Sequence, residues 1–309
     1  MLRYTVKRLL NAVVILFVII TITWLLMQFL PGSPFNDQRL TEQARAQLEA
    51  KYGLNEPLLV QYTTYLWNVI QGDLGNSYFL NGRPVTAIIL DRLPVSAFLG
   101  LQGIVAGTIG GIALGAISAM RHNTVWDRLS TLVSVLGISV PIFVLAPLLQ
   151  YWIAFKWGLL PIAFFESWAH SVLPSLVLGI YVAAVVATYT RTEMLEVLNQ
   201  DYVTLARSKG LGGFHVMTRH VLRNSMVPLI TIIVPLAAAL LTGTLVIERV
   251  FAIPGIGEQF VRSITVNDYS MIVGTTILFS IFFVTAYLVQ DLLYGVVDPR
   301  IRVAGTRSG

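Results

Sequence analysis

The chain has 309 residues, 55% of them hydrophobic and 12% charged, with a mean hydropathy of +0.72, whereas soluble domains run about 45–50% apolar and about 25% charged, so composition assigns it to a membrane. Its formal charge of +5 is carried by basic residues scattered between apolar segments without interleaved aromatics, which argues against nucleic acid as a partner. The absence of cysteine excludes disulfides, thiolate metal sites and cysteine nucleophiles.

A membrane helix needs about 20 apolar residues. Six stretches qualify: Leu9–Leu30, Val95–Met120, Leu129–Phe155, Val172–Tyr189, Met226–Ile247 and Ile272–Val296. The sequence therefore predicts an all-α integral membrane protein with six transmembrane helices. The first follows "MLRYTVKR", but its apolar run is too long for a signal peptide and lacks a small-x-small cleavage site, so it reads as an uncleaved anchor. Segments 1–8, 121–128, 191–225 and 298–309 carry 13 of the 21 lysines and arginines on the shorter total length, which predicts that they and both termini are cytoplasmic.

The chain then divides into the N-terminus and first span (1–30), an external helical loop (31–94), a five-helix core (95–297) with a long cytoplasmic loop at 191–225, and a tail (298–309). In the external loop Thr41 can cap a helix that stops at Gly53. Asn55 is an N-cap candidate for a second helix with Pro57 in its first turn and Gly72 at its end. That second helix places Leu59, Tyr62, Leu66 and Val69 at helical spacing, and Tyr62, Tyr65 and Trp67 suit a headgroup region. In the second span Gly103, Gly107, Gly111 and Gly115 recur every four residues and present bare backbone for close helix packing. Pro141 and Pro147 interrupt the third span, and Pro174 and Pro235 enter the fourth and fifth as hinge candidates. Asp291 is the only carboxylate well inside an apolar segment, where it should pair with a neighbouring helix or with an arginine of "DPRIR".

No internal repeat is visible, which weakens an autonomous secondary carrier built from inverted halves; that carrier, or a channel, is the rival from a different class. His122, His170, His215 and His220 fall between the spans without ligand spacing. They supply neither a metal site nor an intramembrane serine hydrolase. No phosphate loop occurs, so nucleotide energy must come from a partner.

"RTEMLEVLNQDYVTLARSK" (Arg191–Lys209) predicts one helix. Segment "DYVTLARSKGLGGFHVMTRHVLRN" (Asp201 to Asn224) carries the end of that helix, a turn of positive φ at Gly210, Gly212 and Gly213, and a second helix leading into the fifth span. Its tip offers Leu205, Ala206 and Leu211 beside Arg207 and Lys209. That surface is small enough for another protein's groove, with a lipid-facing loop as the alternative. "ERVFAIPGIGEQF" should fold outside the fifth span because Pro254, Gly255 and Gly257 break helix within an apolar run. It reads either as an external gate or docking surface with Glu248, or as a structural turn.

"DYVTLARSKGL" resembles the coupling loop of ATP-binding-cassette importer permeases, in the peptide/nickel branch that contains the oligopeptide and dipeptide permeases. "LPGSPF" (Leu30–Phe35), "QYTTYLWNVIQGDLGNSY", "TRTEMLEVL" (Thr190–Leu198), "ERVFAIPGIGEQF" (Glu248–Phe260) and "DPRIR" (Asp298–Arg302) extend the resemblance over nearly the whole chain. Ser33 with the following "PF" makes it most similar to oligopeptide permease B subunits. Against the wider importer consensus, the E-A-A positions are Thr204, Leu205 and Ala206, and the usual proline is replaced by Arg223 with Pro228 later.

The resemblance implies a type I importer fold in a bacterial inner membrane. It also implies a heterodimer with a homologous permease, two cytoplasmic ATPases that bind ATP and Mg, and an external solute-binding protein. The cargo would be a peptide, with nickel, glutathione or peptide antibiotics as alternatives. This chain itself would bind no cofactor. Coupling would run through Tyr202, Thr204, Leu205, Ala206, Arg207, Ser208, Lys209, Gly210 and Leu211, moved as a rigid lever by closure of the ATPases.

Overall fold

The computed structural model describes residues 2–29, 43, 47, 53 and 55–297. The expected Thr41 helix, apart from positions 43, 47 and 53, and the "LPGSPF" and "DPRIR" motifs lie outside the described residues. The described residues are almost entirely helical, with one isolated antiparallel bridge between Asn76 and Pro84. Five helices are long and apolar enough to cross a membrane, and a bent pair makes a sixth span.

Helix α1 (Leu2–Phe29) leads to external helix α2 (Leu58–Ile70). α2 begins after Pro57 with no side-chain cap bond, so Asn55 does not cap it; the fixed φ of Pro57 sets the start instead. Tyr62 and Tyr65 turn toward the bundle: Tyr62 packs on Trp24 at 5.1 Å and shares a 2.6 Å hydrogen bond with Thr21. Leu59, expected on the same face, is 74% exposed. Burial pushes the Tyr65 hydroxyl well above its ordinary value. α1 rests on the last span, where Arg8 meets Asp291 at 2.7 Å, the first of the two partners expected for that carboxylate.

α3 (Val85–Met120) is 36 residues long and starts ten residues before the predicted span, with Pro94 inside it. At about 1.5 Å per residue it exceeds the membrane's apolar thickness, so one end projects. Its glycine face packs on α6 (Ala169–Leu198), as the four-residue spacing predicts. A Cβ at Gly107 would lie 2.6 Å from Val182 Cβ, and one at Gly111 2.7 Å from Val186 Cβ. Bare backbone is what permits this approach. The same pairing buries Leu99, Leu178, Val182 and Val186 in the central core.

The third span is not one rod. α4 (Val125–Ser139) and the run formed by α5 (Ile142–Leu149) and π1 (Gln150–Lys156) meet at 104°. The break falls at Val140 and Pro141, both in extended conformation, because proline restrains the residue before it to that region. Pro147, expected to interrupt the span too, is accommodated inside α5. After α6 come α7 (Asp201–Ser208), α8 (Gly213–His215) and π2 (Val216–Leu222), which runs into α9 (Arg223–Leu241). The fifth span breaks again at Gly243, where φ is +91°, before α10 (Leu245–Val250). α11 (Ile256–Thr265) and α12 (Tyr269–Val297) close the described chain.

Candidate functional site

The 191–225 loop joins the ends of α6 and α9. The helix expected to run unbroken to Lys209 stops instead at Leu198: the Asn199 amide donates to the Leu195 carbonyl at 3.0 Å, and Gln200 is extended. Such local side-chain bonding competes with helix propagation. α7 then closes in a Schellman motif, with Gly210 N–H donating to Arg207 O at 2.9 Å and Leu211 N–H to Ala206 O at 3.4 Å. Of the three glycines expected at positive φ only Gly210 has it, at +79°; Gly212 is extended at −60°.

Burial sorts the expected coupling residues. Tyr202, Thr204, Leu205, Arg207, Ser208, Lys209, Gly210 and Leu211 are exposed, whereas Ala206 is 6% exposed and faces inward with Val203. Those two pack with Ala119 of α3, Met194 of α6, and Val216 and Val221 of π2. The tip is thus anchored to two spans. Ala206 belongs to that anchor and not to the outer surface. Phe214, which the sequence reading did not select, is 77% exposed beside Leu205 and Leu211 in the same turn. Its signal was available: a large aromatic following two glycines in a polar loop. The Tyr202 hydroxyl accepts from Asn224 at 3.1 Å and ties α7 to the start of α9.

The sequence also gave no weight to Asp127. Its carboxylate accepts from Arg191 Nε at 2.8 Å and Arg191 Nη2 at 3.1 Å, from Ser118 at 2.5 Å and from Asn123 N–H at 2.9 Å. The available signal was a lone acid and a lone arginine placed at the ends of neighbouring spans.

At the other end of the bundle, Glu248 is 1% exposed. It accepts from the Ser96 hydroxyl at 2.7 Å and from Glu258 N–H at 2.7 Å, while Ser96 accepts from Ile256 N–H at 2.9 Å. The motif's glycines make room for this carboxylate: a Cβ at Gly255 would lie 2.2 Å from Glu248 Cδ, and one at Gly257 3.1 Å from Oε2. Pro254 is exposed, while Glu248, Gly255 and Gly257 are buried. The turn is also tied laterally, by Gln150 donating to Val250 O at 3.2 Å and by Phe164 N–H donating to Phe251 O at 2.8 Å. Nearby, Asp268 accepts from Ser77 and from Tyr78 N–H, joining the 74–84 loop to the start of α12.

Residues 111–303 match the family described as binding-protein-dependent transport system inner membrane component, and residues 1–100 match its N-terminal companion family. Dipeptide transport system permease protein DppB of Lactococcus lactis subsp. cremoris is 42% identical, over 98% of this chain and 100% of its own length. Glutathione transport system permease protein GsiC of Escherichia coli (strain K12) is 39% identical, over 98% and 99%. Oligopeptide transport system permease protein OppB of Haemophilus influenzae is 36% identical, over 98% and 100%. A crystal structure of an amino acid ABC transporter with histidines shares the fold at a TM-score of 0.54 and 14% identity, over 67% of this chain and 93% of that one.

Proposed function

We propose that this chain, which belongs to the family of binding-protein-dependent transport system inner membrane components, translocates peptides across a bacterial cytoplasmic membrane, with dipeptides as the first class to test. The chain is the integral membrane permease of an ATP-binding-cassette importer and not its ATPase, and membership implies ATPase and solute-binding partners. In the proposed assembly it pairs with a homologous second permease and two ATPases that bind ATP and Mg on the cytoplasmic side. An external binding protein delivers the cargo. Both termini and the 191–225 loop face the cytosol, in line with the lysine and arginine distribution.

The observation that carries this reading is the anchored, Schellman-closed α7, which presents Leu205, Leu211 and Phe214 with Arg207 and Lys209. A short helix with an apolar tip and a basic flank suits insertion into a groove on an ATPase. ATP then shifts the bundle between inward and outward access only through contacts that differ in the two states. At the opposite end the 243–258 turn, fixed around Glu248 with Pro254 exposed, serves as the external gate; its attachment to α3 through Ser96 supports that role.

Co-purification with the partner subunits, followed by ATP hydrolysis in the presence of binding protein, tests the assignment. Stimulation by dipeptides is expected to exceed that by longer peptides or glutathione. A chain that purifies without ATPases, or hydrolysis indifferent to every peptide, contradicts the proposal.

A further inference from the structure

The Asp127 cluster joins three helices at their loop ends. Ser118 and the turn carrying Asn123 belong to the end of α3, Asp127 lies in the first turn of α4, and Arg191 lies two turns before the end of α6. Asp127 is 4% exposed, and Arg191 meets it with two nitrogens at 2.8 and 3.1 Å. His122 Nδ1 stands 3.1 Å from Asp127 Oδ2 and 3.3 Å from Arg191 Nη2, and Thr131 donates to Asp127 at 3.5 Å. One carboxylate thus collects groups from every element around it.

Placement gives the pair its meaning. One turn beyond Arg191 on α6, Met194 is 1% exposed and packs in the cluster that holds Val203 and Ala206 of α7. Displacement of α7 therefore reaches α6 through Met194, and the next contact along α6 is Arg191 with Asp127. Apolar side chains allow neighbouring helices to slide and rotate by small amounts. A planar guanidinium held by two nitrogens fixes distance and orientation together. One turn before Ser118, Gly115 lets α3 approach α6 so closely that a Cβ would lie 2.5 Å from Ala187 O.

We propose that Asp127 and Arg191 are positioning residues for energy coupling: the pair locks the ends of α3, α4 and α6 so that movement of α7 shifts the three spans as a unit. This rests on the reading of α7 as the element that docks on the ATPase. In this role Arg191 acts through Asp127, to which it is held by two nitrogens, and not by contact with ATPase or cargo.

The test uses the complete transporter reconstituted in lipid vesicles with binding protein and peptide, comparing wild type with Arg191→Lys, Asp127→Asn and Gly210→Val. Complex recovery, basal ATP hydrolysis and peptide transported per ATP hydrolysed are measured for each. Arg191→Lys keeps the charge but loses the two-nitrogen fork. It is expected to assemble and hydrolyse ATP at the wild-type basal rate while transport per ATP falls about tenfold, with Asp127→Asn behaving alike. If Asp127→Asn is not recovered, Arg191→Lys decides. Unchanged transport per ATP in Arg191→Lys, or losses of transport and hydrolysis that merely follow complex recovery, overturns the proposal. When Gly210→Val uncouples and Arg191→Lys does not, the docking reading stands and the positioning role falls; full transport per ATP in Gly210→Val removes the docking reading itself.

Discussion

A Cβ at Gly255 would sit 2.2 Å from the carboxyl carbon of Glu248, so that glycine is required by space and not by backbone angle. Gly210 is the reverse case: nothing lies within 4 Å of its Cβ position, but its φ of +79° disfavours β-branched side chains. The two sites therefore respond differently. Gly210→Asn is expected to keep transport, because asparagine tolerates left-handed backbone, whereas Gly210→Val should uncouple transport from ATP hydrolysis; the ratio of the two rates measures it. At Glu248, replacement by alanine leaves the Ser96 hydroxyl and Glu258 N–H buried without their acceptor, at about 1–3 kcal/mol each. Glu248→Gln can accept from Glu258 N–H and donate to Ser96, so its loss should be smaller. Thermal unfolding of the purified complex and protease cleavage at the 251–255 turn compare the two. The sequence marked Glu248 and its glycines as a group but could not tell a gate-facing carboxylate from a buried one, because spacing carries no burial.

Among the elements, the α3–α6 pair was the most legible. Glycines every four residues can only make one flat helix face, and the structure fills it with Leu178, Val182 and Val186. Gly110 lies off that face, with 3.9 Å between its Cβ position and Ala183 Cβ. Gly111→Ala is therefore expected to destabilise the bundle by about 1–3 kcal/mol through overpacking, whereas Gly110→Ala is neutral or stabilising by up to about 1 kcal/mol. The melting temperatures of the two variants should move apart. In the third span the interruption expected at Pro141 is present as a 104° bend, whereas the one expected at Pro147 is absent; hydropathy, which averages over the span, carries no angle. The expected long helix into the coupling loop failed for a local reason, the Asn199 side chain capturing the Leu195 carbonyl. The Asp127–Arg191 pair was missed because its members lie 64 residues apart, whereas Phe214 was missed although the two glycines before it marked the turn.

For the molecule as a whole, family and membrane class were readable from ordered short motifs, and the comparisons extend that likeness over 98% of the chain. Peptide length was not. The sequence suggested oligopeptide permeases through residues 30–35, whereas the dipeptide relative is 42% identical and the oligopeptide relative 36%. A six-residue motif weighs little against 303 aligned positions. In the proposed pairing with a second permease, the cavity that accepts cargo would lie between the two chains, and this chain would supply half of it. As proposed, this chain moves peptide only as part of an ATP-driven assembly. Uptake of labelled dipeptide into vesicles holding the full complex, with binding protein outside and ATP inside, tests this most directly. Uptake should require ATP, the binding protein and this chain together; uptake by this chain alone, driven by an ion gradient without ATP, would overturn the proposal.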